Sequence, residues 1–282
     1  MRCPPKAEPI GVTSNFRVVR VFRGLTAATL LVSAACGGGS SAPPSTSPSP
    51  TPTTPVSAAC GALGQTAIVN GVACSTANSP VVLLNMKDAD GLQAGSCSGT
   101  VIAPRAILTA AHCLPSTTAS VKVFLGTGAE LTAQSFARHP NYRESDNTAF
   151  DAGVVLMSGD LARAPMPLLL SRDARVGETA VIAGWGNDQN QIAATLRAGT
   201  AAITAVSSLV LQTEFTNNFS STCQGDSGGP LLISEGGVWA IAGVISANST
   251  LACNFGTNFY SNVRNADISA FVLSKAPDAA RR

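Results

Sequence analysis

A serine set among glycines, two histidines and an aspartate at the head of an apolar run are the side chains of this 282-residue sequence that could together break an amide bond. That reaction needs a hydroxyl made nucleophilic, a base that titrates near neutral pH, a carboxylate to orient the base, and N–H donors for the oxyanion. Histidine has the suitable unperturbed pKa. The choice lies between His112, in Thr109-Ala110-Ala111-His112-Cys113, and His139, beside Pro140 in a polar stretch. His112 follows an apolar run and precedes a cysteine, so its backbone is expected to be held firmly, whereas His139 is assigned to a surface loop. Ser227 lies in Cys223-Gln224-Gly225-Asp226-Ser227-Gly228-Gly229-Pro230. Three glycines there permit a tight turn whose N–H groups converge on one point, which suits an oxyanion hole; a bare glycine turn is the plain alternative. Asp151 opens the run Asp151-Ala152-Gly153-Val154-Val155-Leu156, and the order along the chain is His, Asp, Ser.

Such far-separated groups need a rigid frame. After residue 65, short runs rich in Val, Ile and Leu alternate with Gly, Ser, Asn and Pro: Val81 to Leu84, Ala106 to Thr109, Val121 to Leu125, Val181 to Ala183, Leu231 to Ile233 and Val238 to Ile245. These read as strands. Gly236-Gly237 sits between two of them where a hairpin needs positive φ, and Asp267 to Lys275 reads as a terminal helix. The expectation is an all-β body, barrel or sandwich. No period of 20 to 50 residues repeats, which argues against a propeller or solenoid. With 12% charged residues and 43 glycines and prolines, a coiled coil or helical bundle is excluded.

Residues 1–36 hold five basic side chains (Arg2, Lys6, Arg17, Arg20, Arg23) against Glu8, leaving 13 basic and 15 acidic residues for the remainder. That balance gives the body no footprint for nucleic acid. Arg17, Arg20 and Arg23 precede an uncharged stretch from Gly24 to Ala35, too short to span a bilayer and suited to a signal peptide over 1–36. Two readings fit its end, Ser33-Ala34-Ala35-Cys36: simple cleavage releasing a free protein, or lipidation of Cys36 and membrane anchoring. Residues 37–59 are a Pro/Ser/Thr-rich linker, 60–67 a short propeptide and 68–282 the folded domain. The expected destination is extracellular or in a bacterial cell envelope. Six cysteines remain in the body: Cys60, Cys74, Cys97, Cys113, Cys223 and Cys253. In an exported chain they suggest three disulfides, with 15 pairings open. Zinc is the rival, but CxxC is absent and only two histidines are present, so no metal and no cofactor is expected.

From Ile68 to about Lys275 the sequence resembles the chymotrypsin-like, trypsin-fold serine peptidases, on the strength of TAAHC, GDSGGP, the Asp151 strand and Ile68-Val69-Asn70-Gly71. The resemblance implies two antiparallel six-stranded β-barrels with a C-terminal helix and a cleft between them. It implies Ser227 as nucleophile, His112 as general base and acid, Asp151 as the orienting carboxylate, and Gly225 and Ser227 as oxyanion donors. It implies disulfides Cys97–Cys113 and Cys223–Cys253, which leaves Cys60 and Cys74 for each other. It implies cutting at Ala67–Ile68, after which the Ile68 ammonium pairs with Asp226; Asp226 capping a local turn is the simpler alternative. The specificity pocket would have Ser221 at its floor and Ser246, Asn248 and Asn258 in its walls. Without a carboxylate at the floor, basic side chains are disfavoured, and Asn248 and Asn258, standing where wide-pocketed members of the family have glycines, narrow the pocket toward small aliphatic ones. The implied activity is a serine endopeptidase acting as a monomer on protein or peptide substrates. Two other classes stand beside it: a catalytically silent binding or adhesion module on the same fold, and an esterase, which would commonly carry GxSxG in an α/β sheet.

Overall fold

The computed structural model describes residue 68 and residues 71–282, apart from 74, 147, 189, 191–194, 217 and 251. The leader with Cys36, the linker, the propeptide, Ala67 and the Cys60–Cys74 pairing lie outside the described residues.

The body is β-rich, as alternating apolar runs dictate. One sheet contains β2 (Val81–Lys87), β3 (Gln93–Ala103), β4 (Ala106–Thr109), β5 (Ser120–Phe124), β6 (Leu131–Thr132), β7 (Ser135–Arg138) and β8 (Gly153–Leu156), in the order β6-β5-β2-β3-β4-β8-β7. The other contains β1 (Val72–Ala73), β9 (Thr179–Gly184), β10 (Arg197–Val206), β11 (Val210–Glu214), β12 (Pro230–Glu235), β13 (Val238–Asn248) and β14 (Thr257–Asn262). In this second sheet β9, β10, β11, β14, β13 and β12 close into a six-stranded barrel, with β1 added along β10. The first sheet is barrel-like too, as the resemblance implied, its seven ladder strands forming a half-barrel. Its end strands β6 and β7 are consecutive pieces of one segment. Ala133 N–H still bonds to Val121 of β5, while Gln134 N–H bonds to Leu156 of β8. The segment changes partner between two residues, so the sheet curls round without a ladder across the seam.

Residues alternate in and out along β2 and β5, and β4 is buried at all four positions, Ala106, Ile107, Leu108 and Thr109. A run covered on both faces has no need to alternate. The β12–β13 hairpin turns on Gly236 and Gly237, with φ of +56° and +78°, the sign that two-residue hairpin turns require. The helix, α1, runs Ala266–Lys275; the Asn265 side chain caps it by accepting from the Asp267 and Ile268 N–H groups, and Ile268 and Val272 are its buried face. Trp185 ties the sheets together. Its indole N–H donates to the Val81 carbonyl at 3.2 Å, and its ring meets Phe124 edge-on at 5.8 Å. Among the described residues no helix is long and apolar enough to cross a membrane.

Candidate active site

Strand register brings His112 and Asp151 together. β4 and β8 are antiparallel with Thr109 opposite Gly153, so the residues leaving β4 lie beside those entering β8. Gly153 is needed at that crossing, since a Cβ there would lie 2.8 Å from Leu114 Cδ1 and 3.0 Å from the Ala110 carbonyl. The fully buried Asp151 carboxylate then grips His112 twice: Oδ1 accepts the His112 backbone N–H at 2.9 Å, and Oδ2 lies 2.7 Å from Nδ1. The Ser246 hydroxyl donates to the same Oδ2 at 2.6 Å from the opposite sheet. Buried and satisfied in this way, the carboxylate fixes the ring position and favours a proton on Nδ1, which leaves Nε2 as the basic nitrogen. The Cys97–Cys113 disulfide backs the histidine. Cys97, Cys113 and His112 come close enough to suggest a metal cluster, but sulfurs joined to each other are not thiolate ligands.

Ser227 lies on the turn that enters β12 and lines, with His112, a cleft of about 390 Å³. The turn is held by Asp226 N–H to the Cys223 carbonyl, Gly229 N–H to the Asp226 carbonyl and Gly228 N–H to the Ile245 carbonyl. Gly225 and Gly228 have φ of +93° and +81°, a region where a side chain would be strained. The Cys223–Cys253 disulfide braces the cleft, and Phe215 packs against it.

Asp226 is 1% exposed, and its carboxylate accepts from Gly186 N–H at 2.9 Å and Cys223 N–H at 2.8 Å. Burial pushes its pKa up to about 7, against the opposing pull of those two bonds and of the Arg197 guanidinium. Ile68 is buried too, as part of the apolar core of the second barrel that also holds Ile182, Leu211 and Tyr260.

Of the residues expected in the pocket, Ser246 and Asn248 line the cleft together with Thr222 and Tyr142. Ser221 and Asn258 are wholly buried behind that wall. There Asn258 Oδ1 accepts from Ser221 Oγ at 3.0 Å, Thr222 Oγ1 at 2.7 Å and Asn248 Nδ2 at 2.9 Å, while Nδ2 donates to Thr213 Oγ1 at 3.3 Å. The wall is thus a neutral network with its amide acceptor fully engaged.

The expectation for His139 was wrong. It is 3% exposed, stacked on Phe150 with ring centroids 5.0 Å apart and edge-on to Phe271 of α1, also at 5.0 Å. Its polar sequence neighbours suggested solvent, but an aromatic slot formed by Phe150 and by Phe271 of α1 encloses it, and burial lowers its pKa. Its backbone N–H donates to the Ala152 carbonyl at 2.8 Å, and Phe150 holds φ +54°, a strained value for a bulky residue, just before Asp151.

Sequence reasoning missed the Ser246 hydroxyl on Asp151 and the hydroxyl of Ser98. Partners 95 and 127 residues apart leave no local pattern to read.

The Trypsin family model matches residues 68–268. Trypsin delta of Drosophila erecta is 30% identical over 206 residues, covering 64% of this chain and 79% of that protein. Trypsin of Saccharopolyspora erythraea is 30% identical over 164 residues, 49% of this chain and 71% of that one. Vitamin K-dependent protein C of Rattus norvegicus is 26% identical over 218 residues, 64% of this chain, which spans only 45% of that protein's length. A solved structure of HL collagenase superimposes with a TM-score of 0.64 over 74% of this chain and 99% of that one, at 21% identity, a likeness of fold.

Proposed function

The chain belongs to the trypsin family of serine endopeptidases, and from that premise we propose that it cuts protein or peptide chains through an acyl-enzyme on Ser227. The observation that carries this reading is the Asp151 carboxylate holding both the backbone and the ring of His112 in a cleft shared with Ser227. His112 Nε2 takes the Ser227 hydroxyl proton as the oxygen adds to the scissile carbonyl. The tetrahedral oxyanion is met by the N–H groups of Gly225 and Ser227. The C–N bond breaks as His112 returns the proton to the departing amine. Water then gives a proton to His112 and attacks the acyl-enzyme, releasing the acid and restoring Ser227. This scheme is the one defined by the chymotrypsin-like enzymes themselves.

The side chain preceding the cut is proposed to be small and uncharged. The buried amide of Asn258 has its acceptor engaged by three side chains, and an incoming ammonium or guanidinium would find no carboxylate to repay its desolvation. Activation is proposed to follow cutting at Ala67–Ile68. In the uncut chain the Ile68 nitrogen is part of a peptide bond; freed, it becomes an ammonium that can pair with the Asp226 carboxylate next to the nucleophile. Two buried disulfides agree with an exported protein, and Cys36 is proposed as the point of release or lipid attachment.

The test is labelling by a fluorophosphonate. The processed protein should be labelled at Ser227, while Ser227→Ala is silent and Ala67→Pro stays folded, uncut and unreactive. A processed protein that resists labelling and cuts no peptide library would make it a silent binding module.

A further inference from the structure

Ser98 lies on β3, next to Cys97 of the disulfide behind the histidine, and is fully buried. Its polar groups all serve the catalytic turn or the turn's supports. The backbone N–H donates to the Ser227 carbonyl at 2.7 Å. The carbonyl accepts from Thr109 Oγ1 at 2.8 Å, on the strand that leads into His112. The hydroxyl donates to the Gly225 carbonyl at 2.9 Å and accepts the Trp185 N–H at 2.9 Å. The first two contacts use backbone atoms of residue 98 and ask nothing of its side chain. The last two require a hydroxyl there: an alanine would withdraw the donor from one buried backbone group and the acceptor from another.

We propose that the Ser98 hydroxyl is a positioning residue for peptide hydrolysis, pinning the Gly225 carbonyl to the Trp185 segment and so fixing the direction of the Gly225 N–H. The proposal rests on the reading of Ser227 as nucleophile and of Gly225 as oxyanion donor. Glycine is the residue with the loosest torsions, and Gly225 sits at φ +93° with one peptide carrying its N–H and the next its carbonyl. Anchoring the carbonyl holds the second of these peptides, while the first, which carries the N–H, is held by Asn187 N–H donating to the Gln224 carbonyl at 2.9 Å, so the hydroxyl fixes one side of a glycine already fastened on the other. The Trp185-Gly186 segment meets the turn a second time, since Gly186 N–H donates to Asp226 and a Cβ on Gly225 would lie 2.9 Å from Gly186 Cα. The Ser98 hydroxyl fastens both of these pieces of the second barrel to the first sheet. Donors to an oxyanion matter when charge develops on the substrate oxygen, so a misdirected Gly225 N–H costs turnover rather than substrate binding.

The test compares processed wild type, Ser98→Ala and Ser98→Thr on a peptide substrate, with binding of a peptide aldehyde as the probe of the hemiacetal oxyanion. Loss of a whole oxyanion donor costs about 10²- to 10³-fold in kcat. Ser98→Ala should therefore lose about 10-fold or more in kcat, with KM within about twofold, and aldehyde affinity should fall in step. Ser98→Thr, which keeps the hydroxyl, should recover most of the loss. A folded Ser98→Ala with unchanged kcat and aldehyde affinity overturns the proposal, as does a loss confined to KM. Should Ser98→Ala not fold, Ser98→Cys carries the test: its thiol is the poorer hydrogen-bonding group, and turnover equal to wild type overturns the proposal. Fluorophosphonate labelling of wild type separates the two levels. An unlabelled Ser227 sinks the catalytic reading itself, whereas a labelled, active wild type with an indifferent Ser98→Ala sinks this inference alone.

Discussion

Uncut, the chain should lose stability as the pH rises from about 4 towards about 7, where the unfolded chain has released the Asp226 proton and the folded chain keeps it, and cutting at Ala67–Ile68 should remove that loss. Burial places the Asp226 pKa at about 7, against a reference of 3.8. Between those values the folded chain retains a proton that the unfolded chain has released. Stability tied to this group is therefore complete at the acid end and declines with rising pH, by at most about 1.4 kcal/mol per pH unit. Over the whole interval the ceiling is roughly 4 kcal/mol. The perturbation is Asp226→Asn in a chain that also carries Ala67→Pro, to block cutting, and Ser227→Ala, to prevent self-digestion. An asparagine does not titrate, and its amide oxygen can serve only part of the pair of N–H groups from Gly186 and Cys223. That mismatch costs about 1–3 kcal/mol at every pH and so does not alter the slope. Urea unfolding of both chains between about pH 4 and pH 8 gives the difference in stability, from which His139 and the other titrating groups cancel. The stability of the Asp226 chain relative to the Asp226→Asn chain should fall by several kcal/mol across that span, roughly in line with the ceiling above. In the processed protein an ammonium beside the carboxylate favours its charged form, and the trend should vanish. Parallel pH profiles for the two uncut chains would refute a buried acid held neutral by its surroundings.

Asn258→Ala should widen preference at the cleft, because it removes the acceptor that draws Ser221, Thr222 and Asn248 together. Cleavage after Leu or Phe, relative to Ala, should rise by about 10-fold in a peptide-library digest, and an unchanged profile would show that this amide does not limit the pocket. His139→Ala should destabilise the fold by about 2–4 kcal/mol in denaturant titration, since it empties a slot walled by Phe150 and Phe271. A cost under about 0.5 kcal/mol would be the signature of a surface site and would contradict the stacking.

Much of the frame was legible because its causes are local. Gly236-Gly237 marked a turn that only positive φ allows, and Asp267 to Lys275 read as the helix that the structure begins one residue earlier, at Ala266. The apolar runs that read as strands became β2, β4, β5, β9, β12 and β13, with ends shifted by a residue or more where pairing, not composition, sets the limit. The two pairs of body cysteines that fall within the described residues are bridged as the resemblance implied, Cys97 to Cys113 and Cys223 to Cys253. The point at which the first sheet's last segment changes partner, between Ala133 and Gln134, was not legible, because it depends on Val121 and Leu156, which are distant in the chain.

By itself, the sequence determined which side chains are chemically able to act: one serine among glycines, one histidine ahead of a cysteine, one aspartate at the mouth of a strand. Those identities are covalent facts, and their backbone preferences act within a few residues. Tertiary structure decided which groups meet. The Thr109–Gly153 register sets His112 against Asp151, Ser246 and Ser98 reach across from opposite sheets, and α1 closes an aromatic slot over a histidine whose neighbours in sequence are polar. Hydrogen bonds and ring contacts act over a few ångströms whatever the separation along the chain, so only a folded backbone could assign them.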